Sequence, residues 1–211
     1  MKNRKKDFCV ALVCLVAFVC FTALVRCVDV APIGPNGSTV GFSSVNGLFH
    51  RLTGVHMSLY HLTDWLGLFP AGLAMGFAVL GLFQWIKKKS IGKVDRSLLV
   101  LGGSYIVLLV VYLLFEELAL NYRPVLIDGR LEASYPSSTT LLVLCVIPTA
   151  AMQLGSRVRQ ATGRRWLIGI LIAFLVITVL LRLLSGVHWL TDIVGGCLLS
   201  AGLVALYRAL A

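Results

Sequence analysis

Six long apolar runs divide the chain, at roughly 8–28, 65–86, 98–118, 138–155, 166–184 and 189–210, with short polar or charged segments between them. Each is close to the 20 or so helical residues that cross a hydrocarbon core about 30 Å thick. Lipid offers the backbone no hydrogen-bond partner, so the runs predict helices; they are continuous, which excludes the short alternating segments of a barrel. The expected fold is all-α and polytopic, with six transmembrane helices in one domain over 1–211. The first run follows "MKNRKKD", is long, and is not closed by a small-residue cleavage site, so 8–28 reads as a retained signal anchor. "LVRC" has Arg26 where a lipoprotein cleavage box needs a small residue. The segment 29–64 is the longest polar stretch. Its "APIGPNGST" is turn-rich, and "VNGLFHRLTGVHMSLYHLTDW" has the mixed three and four spacing of a short helix lying at the interface.

Composition fits this pattern: 58% of residues are hydrophobic and 13% charged, a membrane composition. Charge adds orientation. Fourteen of the nineteen Lys and Arg fall in the N-terminal tail, 87–96, 157–165 and at Arg208, all on one side of the six-span topology. Seven of the nine acids and all four His fall on the other. By the positive-inside rule both termini are expected to be cytoplasmic. The net charge of +10 then reads as a topology signal and an attraction to anionic lipid headgroups, not a nucleic-acid footprint. The six Cys lie within or at the ends of spans without paired spacing, so neither a disulfide framework nor a zinc site is expected.

On the outer side of that topology stand three short polar clusters at helix ends: "NYRP" (121–124), "YPSSTT" (135–140) and "RLLSGVHWLTD" (182–192). Each suits a phosphate. Arg123 and Arg182 offer planar forks of donors. Pro136 fits the first turn of a helix, so that Ser137, Ser138 and Thr139 present hydroxyls and free backbone N–H groups at a positive helix terminus. His188 and Asp192 are four apart, so they share a helical face, and the carboxylate can take the ring N–H and leave the other nitrogen for a substrate.

These residues resemble the type 2 phosphatidic acid phosphatase (PAP2) superfamily, whose motifs read K-x6-R-P, P-S-G-H and S-R-x5-H-x3-D. The matches are Arg123-Pro124, Pro136-Ser137 and the run Arg182, His188, Asp192, with Gly186 also in keeping, over a core from about residue 60 onward. The resemblance implies a PAP2-like bundle with its site on the extracytoplasmic face of the cell membrane. It implies that His188 is a nucleophile forming a phosphohistidine, that Asp192 orients it, and that Arg123, Ser137 and Arg182 hold the phosphate. No metal or cofactor is expected, since arginines supply the positive charge; the expected partners are a membrane lipid substrate and the bilayer.

Three positions of the pattern differ: Glu116 stands for the motif Lys, Thr139 for the motif His, and Leu181 for the Ser before Arg182. In the family the missing His protonates the leaving oxygen. A general acid matters most for a poor leaving group; a lipid alkoxide is poor, whereas a phosphate leaving from a diphosphate is already a stable anion. The expected substrate is therefore a lipid diphosphate of the polyprenyl (undecaprenyl) type. Another reading has His61, three before Asp64 in "YHLTDW", supply the proton, against its standing as an interfacial anchor with Tyr60 and Trp65. Glu116 is either an accessory group or a partner for Arg123 that competes with phosphate. Two alternatives stay open, a catalytically degenerate lipid-phosphate binder and a lipid phosphotransferase. Trp189 reads as an interfacial anchor, and Gly67, Gly72, Gly76, Gly102, Gly103, Gly195 and Gly196 as close-packing positions.

Overall fold

The computed structural model describes residues 2–158 and 160–211. It contains seven α-helices among these residues: α1 (Lys2–Cys27), α2 (Ser43–Thr53), α3 (Met57–Lys88), α4 (Arg96–Leu118), α5 (Ser138–Arg157), α6 (Ala161–Leu184) and α7 (Leu190–Leu210). All but α2 are long and apolar enough to cross a membrane. The six expected spans are therefore present, with α3 starting about two turns earlier than the apolar run suggested. The interfacial helix expected across "VNGLFHRLTGVHMSLYHLTDW" is in fact two elements. Gly54, at φ +67°, ends α2, and "YHLTDW" forms the opening turns of α3. Gly takes this left-handed position without steric cost, so the break falls there.

Burial ranks the helices. About half of α5 and α7 is buried within the protein, while the other spans turn most of their surface outward, as helices facing lipid must. α7 packs along α1 and α5, and α5 along α3 and α6. The closest approach is made where side chains are smallest. A Cβ on Gly195 would stand 2.6 Å from the Tyr135 ring, and one on Gly202 would stand 2.7 Å from Leu15. The expectation of close packing holds for Gly195 and Gly196 but not for Gly72, Gly76, Gly102 or Gly103, beside which a Cβ would meet nothing. Gly102 and Gly103, with Gly67 and Gly81, line a groove between α3 and α4 instead. Missing side chains there widen a gap rather than close one.

Three connections gather at one end of the bundle. Residues 28–42 fold back on themselves through the Ala31–Val40 bridge, and Asp29 caps α2, accepting from Ser43 Oγ at 2.9 Å and Ser44 N at 2.8 Å. Residues 119–137 form an irregular hairpin turning at Asp128-Gly129, both at positive φ, as an Asp-Gly hairpin turn requires. The third connection, 185–189, is short and buried.

Candidate active site

The catalytic candidates come together where these connections meet. Asp192 lies in the first turn of α7 and is fully buried. Its Oδ2 accepts the Trp189 backbone N–H at 2.9 Å, so one carboxylate both caps the helix and fixes the preceding turn. That turn sets His188 with Nδ1 3.5 Å from Asp192 Oδ2. The other ring nitrogen, Nε2, stands 3.2 Å from Arg123 Nη1. A guanidinium only donates. Nε2 therefore accepts, which puts the ring proton on Nδ1; that nitrogen lies beside the carboxylate without closing a hydrogen bond of good geometry to it. Burial, reinforced by Arg182 and Arg123, holds the imidazole well below its ordinary pKa of 6.5. A neutral ring with a directed lone pair is what a nucleophile requires.

Neither arginine snorkels, as both are buried. The hairpin aims Arg123 inward, with Nε 3.0 Å from Glu132 Oε2 and a backbone bond from its N–H to the Glu132 carbonyl at 3.0 Å. Glu132, not Glu116, is thus the carboxylate that pairs with Arg123 among the described residues. Arg182 extends from the last turn of α6 and donates from Nη1 to Asp64 Oδ1 at 2.8 Å and Thr63 Oγ1 at 3.0 Å. Tyr60 completes the clamp. Its ring lies 4.8 Å from the Arg182 guanidinium and 5.7 Å from that of Arg123, so one aromatic ring attracts both cations and offsets part of their mutual repulsion.

The α5 cluster is only partly as expected. Pro136 lies ahead of the helix rather than in its first turn, and Ser137 is the cap residue. The Ser137 N–H is not free, because it donates to the Asp192 carbonyl at 3.1 Å, and its Oγ accepts from Thr140 at 3.1 Å. The bond from Ser137 to Asp192 ties α5 to α7. Ser138 and Thr139 line the groove between α3 and α4. His61 is exposed, with its ring against Tyr60 at 5.2 Å. Trp189 is buried rather than interfacial. Its Nε1 donates to the Tyr122 carbonyl at 2.7 Å, and its ring meets His50 at 5.5 Å.

Sequence reasoning did not find Tyr60, Glu132 or Asn46. The Asn46 amide is buried on α2 and clasps Thr191, donating to its Oγ1 at 3.0 Å and accepting its N–H at 3.2 Å. The "DG" at 128–129 signals the hairpin. It does not give the register: Ile127 faces Arg130 but Tyr122 faces Ala133, so one arm carries two extra residues.

Gly186 locks the loop that carries His188. Its φ is +68°, and a Cβ there would stand 1.8 Å from the Gly54 carbonyl oxygen; beside it the His56 N–H donates to the Ser185 carbonyl at 2.9 Å. Gly186→Ala is expected to destabilise the protein by about 1–3 kcal/mol through backbone strain and to lower activity by displacing His188. Thermal unfolding in detergent alongside turnover checks this, and a variant with native values would show that the loop yields freely.

Comparison with known proteins bears on the fold and the family. Among solved structures, the crystal structure of the first transmembrane PAP2 type phosphatidylglycerolphosphate phosphatase from Bacillus subtilis matches with a TM-score of 0.61 at 19% identity, over 94% of each chain. No curated protein sequence matches. The profile of the PAP2 superfamily matches residues 104–211, just over half of the chain, a segment that contains Arg123, Ser137, Arg182, His188 and Asp192. With that match and the six-span fold, the chain belongs to the PAP2 superfamily, as a PAP2-type membrane phosphatase.

Proposed function

We propose that the protein removes the terminal phosphate from a lipid diphosphate of the polyprenyl type, through a phosphohistidine at His188, on the extracytoplasmic face of the membrane. The observation that carries the reading is the placement of the buried His188 ring, with Nδ1 3.5 Å from the Asp192 carboxylate and Nε2 3.2 Å from Arg123. A bound phosphoryl group takes over the Arg123 and Arg182 donors, which frees Nε2 to attack phosphorus. The P–O bond to the lipid monophosphate breaks as the P–N bond forms, and the arginines neutralise the charge on the remaining oxygens. Water then cleaves the P–N bond and releases inorganic phosphate.

Two features favour a lipid, and a diphosphate, over other phosphates. The groove between α3 and α4 has a volume of about 1110 Å³ and runs from Asp64, Ser138 and Thr139 down to Leu82 and Leu98. That exceeds the usual size of a small-molecule pocket, and its walls are largely apolar, which suits a hydrocarbon tail. Thr139, at the groove's polar end, carries a hydroxyl no more acidic than the leaving alcohol, so it is a poor general acid for an alkoxide.

Turnover by the purified protein on matched polyprenyl mono- and diphosphates, phosphatidic acid and phosphatidylglycerolphosphate tests the reading. The diphosphate is expected to be preferred, and Thr139→His to raise monophosphate turnover by roughly 10²-fold while changing diphosphate turnover little. A native preference for a monophosphate would reject the diphosphate assignment. A lipid-phosphate binder without turnover, the reading that Glu116 and Thr139 favour, would release no phosphate from any of the four.

A further inference from the structure

A second, much smaller cavity adjoins His188. It offers about 10 Å³, close to the least that one water needs. Its polar wall is made by Glu116, Ser134, Ser138 and His188. Tyr112, Phe115 and Glu116, spaced as neighbours on one helical face, close it from the α4 side. Ser134 Oγ is buried and lies near the Asp192 carboxylate without closing a hydrogen bond of good geometry. A buried hydroxyl in that state is a natural partner for a water in the cavity. Ser138 and Tyr112 border both this cavity and the lipid groove, so the small site lies between the nucleophile and the expected tail.

Among the side chains lining the two cavities, His188 is the one imidazole, and the carboxylates are Glu116 and Asp64. Asp64 is committed to Arg182. Arg123, whose charge reaches Glu116, takes Glu132 as its ion-pair partner, and no ion pair or hydrogen bond ties Glu116 among the described residues. A carboxylate beside a phosphate site weakens binding by repulsion, a cost that one lining a water-sized cavity can offset by accepting a proton from the water.

We infer that Glu116 is the base for the second half of the reaction, activating a water held in this cavity; the inference rests on the phosphohistidine reading above. Water gives a proton to the Glu116 carboxylate while its oxygen bonds to phosphorus. The P–Nε2 bond breaks, its electron pair returns to His188, and phosphate leaves; Glu116 then loses the proton to solvent. The group at the motif's usual Lys position thus acts on the water and leaves the phosphoryl charge to the arginines.

The test uses the full-length protein in detergent with a polyprenyl diphosphate labelled in its terminal phosphate, sampled on the millisecond scale and quenched in alkali. Glu116→Gln is expected to slow steady-state phosphate release roughly 10²- to 10⁴-fold. One equivalent of lipid monophosphate still appears in a burst, and the label stays on the protein. KM falls with kcat, because the covalent species accumulates, and Glu116→Asp recovers part of the rate. Glu117→Gln, one residue away and outside the cavity, controls for the local charge change and stays at the native rate. Native turnover by Glu116→Gln overturns the inference, as does slow turnover with neither burst nor retained label. Should the native protein hydrolyse the probe with no label trapped on it or on Glu116→Gln, and His188→Ala turn over at the native rate, the covalent reading itself falls and takes this role with it.

Discussion

His188→Ala is expected to lower lipid-phosphate turnover by roughly 10⁴-fold or more, the scale seen when a covalent nucleophile is removed. Of the other imidazoles among the described residues, His61 is exposed against Tyr60 and His50 lies against the Trp189 ring. The His188 ring also predicts a pH signature. Burial, together with Arg182 and Arg123, lowers the pKa of His188, so the neutral, attacking form persists as pH falls past 6.5, where an ordinary imidazole would charge. The profile of kcat/KM reports the free enzyme. The limb contributed by His188 is therefore expected below pH 6.5. Residual turnover by His188→Ala within about tenfold of native would remove His188 from the chemistry, and an acid limb centred above 6.5 would contradict its buried setting.

The second large effect is expected at Arg182. Arg182→Lys preserves charge, yet should lose roughly 10²- to 10³-fold in kcat/KM, the range for removing an electrostatic donor to a transition state. Nη1 is already engaged by Asp64 and Thr63, while Nε is buried without a partner. The fork is thus held by one arm and free along another. An ammonium concentrates its donors on one atom, so satisfying Asp64 and Thr63 leaves it poorly placed for a phosphoryl oxygen. The planar stacking on Tyr60 is lost as well. Asp64→Asn keeps the shape of the anchor and should cost less than Arg182→Lys. Steady-state kinetics on the preferred lipid decides the matter; equal efficiency of Arg182→Lys and native protein would reduce Arg182 to a structural ion.

The spans were legible because lipid imposes one rule on every residue facing it, and apolar runs record that rule directly. The chemical groups were legible for a different reason: Arg123, Arg182, His188 and Asp192 keep their spacing in a family pattern. What supports them was not. Asp64 and Thr63 engage Arg182 because α3 begins well before its apolar run, where helical continuity outweighs the local polarity of "YHLTDW". Glu132 reaches Arg123 only through an uneven hairpin. Asn46 meets Thr191 across 145 residues of sequence, and no local pattern encodes a partner at that distance. Glycines were misread for a related reason. A small residue in a span permits close contact but does not require it, and on α3 and α4 several of them bound an open groove.

The clasp between Asn46 and Thr191, with Gly54 pressed on Gly186, has an architectural consequence. Residues upstream of position 104, where the family profile begins, brace the turn that carries His188, which the profile contains. Divergence in that leading segment can retune the reactive imidazole without touching a single signature position, so two relatives with identical motifs need not share one catalytic temperament.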